Sequence, residues 1–288
     1  MMIDLWRSSW KKIRWYRGVV ILLWVSTWVF SFPVFIYMQA SLSRLAKTNV
    51  PAEWLQSFVF TYLTEFISDD PAFLGLLFAW VLFLSVMYFL INIFLTGGII
   101  GVVTHSNPGG NTPFEWSFFW ASAKKFMLRF FLLSLVTGAM MLIPMALMAF
   151  GTPGIVLTLL AWFFWVMVSD MSKIRIASLD IGLARSFFDA IRLVIKNLFP
   201  LLGLYCLNLI PLLAIFVVWW WVDAMINANS AVKMAIIYGS HQLLIIMRAV
   251  VRIQIFDMLA IFHKLKCHKP EISLVEGETT LKVHKITS

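Results

Sequence analysis

Eight polar or ionisable residues interrupt the long apolar stretches of this chain, and each could belong to a site. Four of them are uncharged or weakly basic and could line a polar path between helices: Asn92, Asn208, His241 and Gln242. The other four are charged and lie inside or at the ends of apolar runs: Asp170, Arg248, Arg252 and Asp257. Ionisable groups at membrane depth cost about 2.5–3.5 kcal/mol each on insertion scales, so they serve a purpose where they occur. Anchoring of Arg248 and Arg252 at headgroups is the structural alternative.

The catalytic signatures that such residues could complete are missing from the sequence. It contains no nucleophile elbow, no Walker motif, no His-Glu-x-x-His and no dinucleotide-binding loop. His263 and His268 flank Cys267, but this cluster lacks the convergent ligands of a metal site. We therefore predict no catalytic residue, no metal and no cofactor, and a protein that is not an enzyme.

The composition indicates a membrane protein. Of the 288 residues, 61% are apolar and only 13% are charged, whereas soluble domains carry about 25% charged residues. An apolar surface of that extent requires lipid to cover it. We predict an all-α polytopic protein with a single transmembrane domain, 1–270, and a disordered cytoplasmic tail, 271–288. The six predicted spans form three hairpins and lie near residues 18–40, 72–98, 130–150, 155–177, 198–222 and 231–250.

The positions of the cations predict the topology. With the N-terminus inside, all but three of the 23 Lys and Arg residues fall on the cytoplasmic side, the exceptions being Arg44, Lys47 and Lys233. This bias predicts a multi-pass protein of a bacterial inner membrane with both termini cytoplasmic. Because the net charge of +9 is spread between apolar spans, we predict contact with anionic lipid and no nucleic-acid partner.

A basic aromatic unit recurs along the chain. The segment 117–121, Ser-Phe-Phe-Trp-Ala, is matched by 186–190, Ser-Phe-Phe-Asp-Ala, and a looser copy opens the chain. We interpret the three copies as amphipathic interfacial helices, each preceding one hairpin, although four matches in five positions can also arise by chance. The cations of these units are the predicted lipid or partner contacts: Lys11, Lys12, Arg14, Arg17, Lys124, Lys125, Arg129, Arg192 and Lys196.

Local signals place three further features. Thr112, Pro113 and Glu115 have the spacing of a capping box, which predicts a helix that begins at Pro113. Gly97 and Gly101 are spaced for close helix packing and could also end or bend the second span. The segment 151–154, Gly-Thr-Pro-Gly, predicts a tight turn between spans three and four.

The Gly97-Gly98 end of span two, the loop after it, the Phe-Trp/Lys-Lys helix and the second copy at 184–192 resemble a loose group of bacterial six-span membrane proteins. That group includes the membrane domain attached to some glycerophosphoryl diester phosphodiesterases, and the resemblance covers about residues 90–265. It implies a six-span fold. It implies no catalytic residue here, because the chemistry of that group belongs to a separate soluble domain.

These patterns lead to two hypotheses. The first is a non-enzymatic scaffold or accessory subunit whose cytoplasmic basic helices bind anionic lipid or a protein partner, including a second copy of the chain. The second is a transporter or lipid-handling protein whose polar path, between spans two, five and six, is lined by Asn92, Asn208, His241 and Gln242.

Overall fold

The computed structural model describes residues 2–46, 71–105, 114–225 and 231–267. These ranges are helical apart from short connections and hold no strand. The α-helices are α1 (Met2–Lys12), α2 (Arg17–Ala46), α3 (Pro71–His105), α4 (Trp116–Met145), α5 (Thr152–Leu179), α6 (Leu183–Lys196), α7 (Leu198–Met225) and α8 (Ala231–Cys267). Short 3₁₀ segments, Ile13–Tyr16 and Ala146–Phe150, join α1 to α2 and follow α4.

Five stretches of these helices are long and apolar enough to cross a membrane: Leu5–Val34, Gly75–His105, Trp116–Phe150, Thr152–Leu179 and Leu198–Val222. They correspond to the first five predicted spans. The sixth predicted span lies in α8, which is not one of the five. α8 is instead a single helix of 37 residues that carries Arg248, Arg252 and Asp257 along its length. It continues past the end of the predicted span at residue 250 as far as Cys267.

Two of the three predicted basic helices are separate elements. α1 is divided from α2 by the 3₁₀ segment, and α6 is divided from α7 at Asn197. The prediction of a separate interfacial helix before span three is wrong, because α4 runs without interruption from Trp116 to Met145. The proposed capping box is also wrong, since Glu115 is the extended N-cap of α4 and not its third residue. Thr112 lies outside the described residues.

Close packing of α3 against α4 is confirmed at the glycines. A methyl group on Gly97 would lie 3.3 Å from the backbone of Ala123, and one on Gly98 would lie 2.5 Å from a ring carbon of Phe119. A methyl group on Gly101 would overlap the side chain of Ser122. The glycines do not end the span, because α3 continues through them to His105. Their purpose is to let the two backbones approach.

The buried core lies at one end of the helix bundle. It is built from the C-terminal parts of α3, α5 and α8, the N-terminal parts of α2, α4 and α7, and the buried face of α6, and α1 packs against it. At the opposite end, large apolar side chains such as Phe78, Leu142, Leu160 and Ile210 are exposed. Gly151, with φ 71°, makes the predicted turn there, and α5 begins at the next residue. The structure is therefore tightly packed at its basic end and open to its surroundings at the other.

Candidate functional site

Helix α6 has two faces of different character. Ser186, Phe187, Ala190 and Val194 are buried, and the hydroxyl of Ser186 donates to the carbonyl oxygen of Ser172 on α5 at 2.8 Å. The opposite face combines exposed apolar and cationic side chains in helical register: Arg185, Phe188, Arg192, Ile195, Lys196 and, at the start of α7, Phe199. Phe188, Ile195 and Phe199 are 69%, 62% and 82% exposed. Aromatic and cationic groups mixed in this way are typical of a helix at a membrane interface.

An ion pair between α5 and α6 fixes the orientation of this helix. Nη2 of Arg175 lies 2.7 Å from a carboxylate oxygen of Asp189. Both residues are partly buried, so the pair holds α6 with its cationic face turned away from α5. Asp189 is the residue that differs between the two copies of the aromatic motif, where Trp120 stands in the first copy.

The chain start contributes a second set of exposed cations. Lys11, Arg14 and Arg17 are exposed together with Trp15. Lys12 is directed inward, and its ammonium lies 3.2 Å from a carboxylate oxygen of Asp257 on α8. The first turns of the chain are thus attached to the last helix by one cation and present the others outward.

The first turns of α4 contribute a third set of cations. Lys124 is exposed, and two others form ion pairs with Asp180. Lys125 lies 3.0 Å from one carboxylate oxygen of Asp180, and Arg129 binds the other. The hydrogen bonds from these two side chains lower the pKa of Asp180. Asp180 ends α5 in the left-handed region, with φ 49°, a conformation that Asp tolerates better than most non-glycine residues.

The nine predicted contact cations therefore fall into two groups. Three are bound to carboxylates, as described for Lys12, Lys125 and Arg129. Among the side chains that the structure describes, the other six have no ion-pair partner and are exposed: Lys11, Arg14, Arg17, Lys124, Arg192 and Lys196. We refer to these six, with the exposed aromatic residues Trp15, Trp116, Trp120, Phe188 and Phe199, as the basic aromatic face.

The two copies of the Ser-Phe-Phe-x-Ala motif do not occupy equivalent environments. In the first copy the second phenylalanine, Phe119, is buried, whereas in the second copy the first phenylalanine, Phe187, is buried and Phe188 is exposed. Ser117 is exposed while its counterpart Ser186 is buried. The two copies therefore bury different positions of the motif, although their sequences match.

The four residues of the predicted polar path bind different partners. Oδ1 of Asn92 accepts a hydrogen bond from Arg252. Nδ2 of Asn208 donates to the carbonyl oxygen of Leu204 at 2.8 Å, and its Oδ1 is buried without a partner among the described residues.

The other two path residues bind indole groups. Nδ1 of His241 accepts from Trp219 at 3.1 Å. Oε1 of Gln242 accepts from both Trp24 and Trp28, each at 2.9 Å. Positions 242 and 252 of α8 are about 15 Å apart along the helix axis, so the structure does not bring the contacts of Gln242 and Asn92 into one cluster.

The predicted boundary charges are joined to residues that the sequence analysis did not single out. Asp170 accepts from Lys173, three residues later on the same helix, at 3.1 Å, and from the hydroxyl of Tyr205 at 2.9 Å. Arg252 also binds the hydroxyl of Thr96, which lies one turn after Asn92 on α3. Arg248 remains exposed. Arg252 is thus engaged with α3 and is not a simple headgroup anchor.

Nothing in the described ranges forms a group of three His, Cys, Asp or Glu side chains that could hold a metal ion. Comparison of the chain with protein-family models, with curated proteins and with solved structures found no match. The resemblance to the phosphodiesterase-linked membrane domains therefore stays a prediction, and function has to be argued from the geometry.

Proposed function

We propose that this chain is a non-enzymatic integral protein of a bacterial inner membrane that binds anionic lipid headgroups through its basic aromatic face. Both termini lie in the cytoplasm in this proposal, and the packed end of the bundle faces the inner leaflet. The five long apolar helices support the membrane location. The positive-inside rule supports the orientation, because the basic segments meet at the packed end.

The observation that carries the proposal is the outward face of α6. A soluble helix would have no reason to expose Phe188, Ile195 and Phe199 to water between its cations. At a bilayer surface the same arrangement is favourable, since the rings enter the boundary between headgroups and acyl chains while Arg192 and Lys196 reach phosphate groups. Each well-placed cation contributes on the order of 1 kcal/mol to binding an anionic surface.

The proposal includes α8 as a sixth crossing. Its N-terminal half contains exposed apolar residues such as Ile236 and Leu243, and no charged residue occurs between Lys233 and Arg248. α8 packs against α7 and α2, so its polar residues His241 and Gln242 bind neighbouring side chains as described above. Six crossings return the C-terminus to the side of the N-terminus.

The experiment is lipid retention measured by native mass spectrometry. The intact protein is released from detergent in the presence of phosphatidylglycerol or phosphatidylcholine, and the bound lipids are counted. We expect selective retention of phosphatidylglycerol, reduced about tenfold by the double substitution Arg192→Gln/Lys196→Gln if each cation contributes about 0.7 kcal/mol or more. Lys266→Gln, which removes an exposed cation from the last turn of α8, is the control and should change retention less.

Equal retention of the two lipids by the native chain would overturn the lipid proposal. So would unchanged selectivity in the Arg192→Gln/Lys196→Gln variant with a correctly folded bundle. A protein that co-purifies with the native chain and is lost from that variant would move the assignment to a protein partner at the same face.

A further inference from the structure

Two amide side chains are buried between α7 and α8 without the hydrogen bonds that they need. Asn208 on α7 and Gln254 on α8 are both fully buried, at 0% exposure. Among the residues that the structure describes, Oδ1 of Asn208 and both Oε1 and Nε2 of Gln254 have no partner. Buried polar groups in folded proteins are almost always paired with protein atoms or with ordered water, so these three atoms require an explanation.

Helical register places Gln254 where α8 meets both α1 and α7. Residues three and four apart are neighbours on one face of a helix, and Asp257 and Met258 follow Gln254 at these two spacings. Asp257 binds Lys12 of α1. The sulfur of Met258 lies 3.7 Å from Nδ2 of Asn208 on α7. The amide of Gln254 therefore lies between these two contacts, at a junction of three helices.

The orientation of the Asn208 amide is fixed by its own helix. Nδ2 donates to the carbonyl oxygen of Leu204 at 2.8 Å, so the oxygen is the end of the amide that still needs a partner. A direct bond from Nε2 of Gln254 to this oxygen would satisfy one acceptor only, and Oε1 of Gln254 would still need a donor. A ligand that pairs all three atoms must both donate and accept hydrogen bonds.

A proline on α7 leaves one more acceptor next to Asn208 in the chain. Pro211 lies inside α7 and carries no N–H, so the carbonyl oxygen of Leu207 loses its usual helical donor. In membrane helices, carbonyl groups freed in this way bind neighbouring side chains or ordered water. The junction thus has acceptors on α7 and both an acceptor and donors on α8.

Helix α1 brings three further polar groups to its contact with α7 and α8. Nε1 of Trp6, Oγ of Ser9 and Nε1 of Trp10 are buried and have no partner in the described part of the chain. The spacing of these three positions puts them on one face of α1. Two of the groups are N–H donors, and the hydroxyl can both donate and accept. An ion satisfies either donors or acceptors, whereas water satisfies both.

We propose that ordered water molecules bind at the junction of α1, α7 and α8 and join the amides of Gln254 and Asn208. One water accepts from Nε2 of Gln254 and donates to Oδ1 of Asn208, and a second donates to Oε1 of Gln254. Buried waters make about three hydrogen bonds each, so their remaining bonds reach the carbonyl oxygen of Leu207 or the groups of α1. Lys12, whose side chain is 20% exposed, gives the junction a route to solvent. The inference requires neither lipid binding nor the crossing of α8.

The direct test is a map of the intact native chain at a resolution that shows ordered water, obtained by cryo-electron microscopy in a lipid nanodisc with a rigid antibody fragment bound. We expect at least two water peaks within about 3.2 Å of the unpaired amide atoms of Gln254 and Asn208. A junction without water peaks would overturn the proposal. So would a direct bond between the two amides with no water beside it, or the elongated density of a detergent or acyl chain.

The sign of a stability change tests the same proposal without a map. If water binds the amide, Gln254→Leu loses hydrogen bonds, and the midpoint of thermal unfolding in detergent should fall by about 2–6 °C. If the junction is dry, the same variant removes an unpaired buried group, and the midpoint should rise. Gln242→Leu is the matched control, because it removes from the same helix an amide that is bonded to Trp24 and Trp28. It shows the fall that the loss of a paired glutamine produces.

The coupling between the two amides separates lost water from lost packing. Asn208→Leu, Gln254→Leu and the double variant are compared by the same thermal midpoint. We expect the double variant to fall by less than the sum of the two single falls, because the first substitution already removes the water that the two amides share. A fall equal to that sum would overturn the proposal, and so would a rise of the midpoint in Gln254→Leu.

Discussion

The ammonium of Lys12 lies 3.2 Å from a carboxylate oxygen of Asp257, although 245 residues separate them in the chain. Asp257 is buried, and Lys12 is the inward-facing cation of the first basic segment. The pair attaches α1 to the C-terminal half of α8, the element that also binds α3 through Arg252. The first and last of the described helices are thereby joined at the packed end.

Removing this pair should release α1. We predict that Lys12→Met increases amide hydrogen exchange across residues 2–16, because a charge-assisted hydrogen bond contributes about 1.5–3 kcal/mol when its partner is buried. Hydrogen exchange followed by mass spectrometry measures the change. Lys11→Met, which alters the neighbouring exposed cation, should leave exchange in this segment unchanged. Similar exchange in both variants would show that α1 is held by its apolar contacts alone.

The sequence predicted the helices well where charged residues bound an apolar run or where glycine and proline make a turn. The uncharged run before Asp170 and the one between Asn197 and Val222 predicted three spans, and the glycine and proline at 151 and 153 predicted the turn between α4 and α5. The prediction of a separate second basic helix was wrong because no glycine or proline lies between Trp116 and Phe130, where the predicted span begins. The amphipathic character of the first turns of α4 determines which groups these turns contact. It does not end the helix there.

The glycines of α3 offer the sharpest test of the packed end. We predict that Gly98→Ala or Gly101→Ala lowers the stability of the folded protein by about 1–3 kcal/mol, the usual cost of overpacking. The midpoint of thermal unfolding in detergent measures this effect. Gly138→Ala on α4 is the control, since a methyl group there meets nothing within 4 Å. A midpoint for Gly101→Ala equal to that of Gly138→Ala would contradict the close approach of α3 and α4.

The side chain of Lys264 reports on the same end of the bundle. Burial and then the nearby charge of Lys12 lower its pKa, while Asp257 opposes this shift. We predict that Lys12→Met raises the pKa of Lys264, because a like charge is removed. The rate at which Lys264 is acetylated as a function of pH, followed by peptide mass spectrometry, gives the pKa. A pKa that falls in this variant would mean that the freed carboxylate of Asp257 does not act on Lys264.

Sequence patterns predicted the exposed cations of the candidate site but not the cations that bind carboxylates. Helical register identified the cations of α6 as a surface group, and the structure exposes Arg192 and Lys196 as expected. Which other cations would be neutralised could not be inferred, because their partners lie far away in the chain. Asp180 and Asp257 reach Arg129 and Lys12 only after the helices have assembled.

Neutralising Asp180 would free two cations that the chain already has, Lys125 and Arg129, to join the basic aromatic face. Its carboxylate binds Lys125 and Arg129, and the lowered pKa means that the ionised form is favoured in the folded protein. The contact is therefore complete at neutral pH and is lost only as the pH falls through a folded-state pKa below the ordinary value of about 3.9. Asp180→Asn reproduces the uncharged form at neutral pH, and asparagine tolerates the left-handed backbone of this position.

We predict that Asp180→Asn increases the retention of phosphatidylglycerol relative to phosphatidylcholine, because two cations beside Lys124 are freed for phosphate groups. Native mass spectrometry at neutral pH measures the ratio. Lys125→Gln/Arg129→Gln/Asp180→Asn removes the carboxylate and both cations together and should return the ratio to that of the native chain or below. An unchanged ratio in Asp180→Asn would mean that Lys125 and Arg129 do not reach lipid, which would confine anionic-lipid binding to α6 and the chain start.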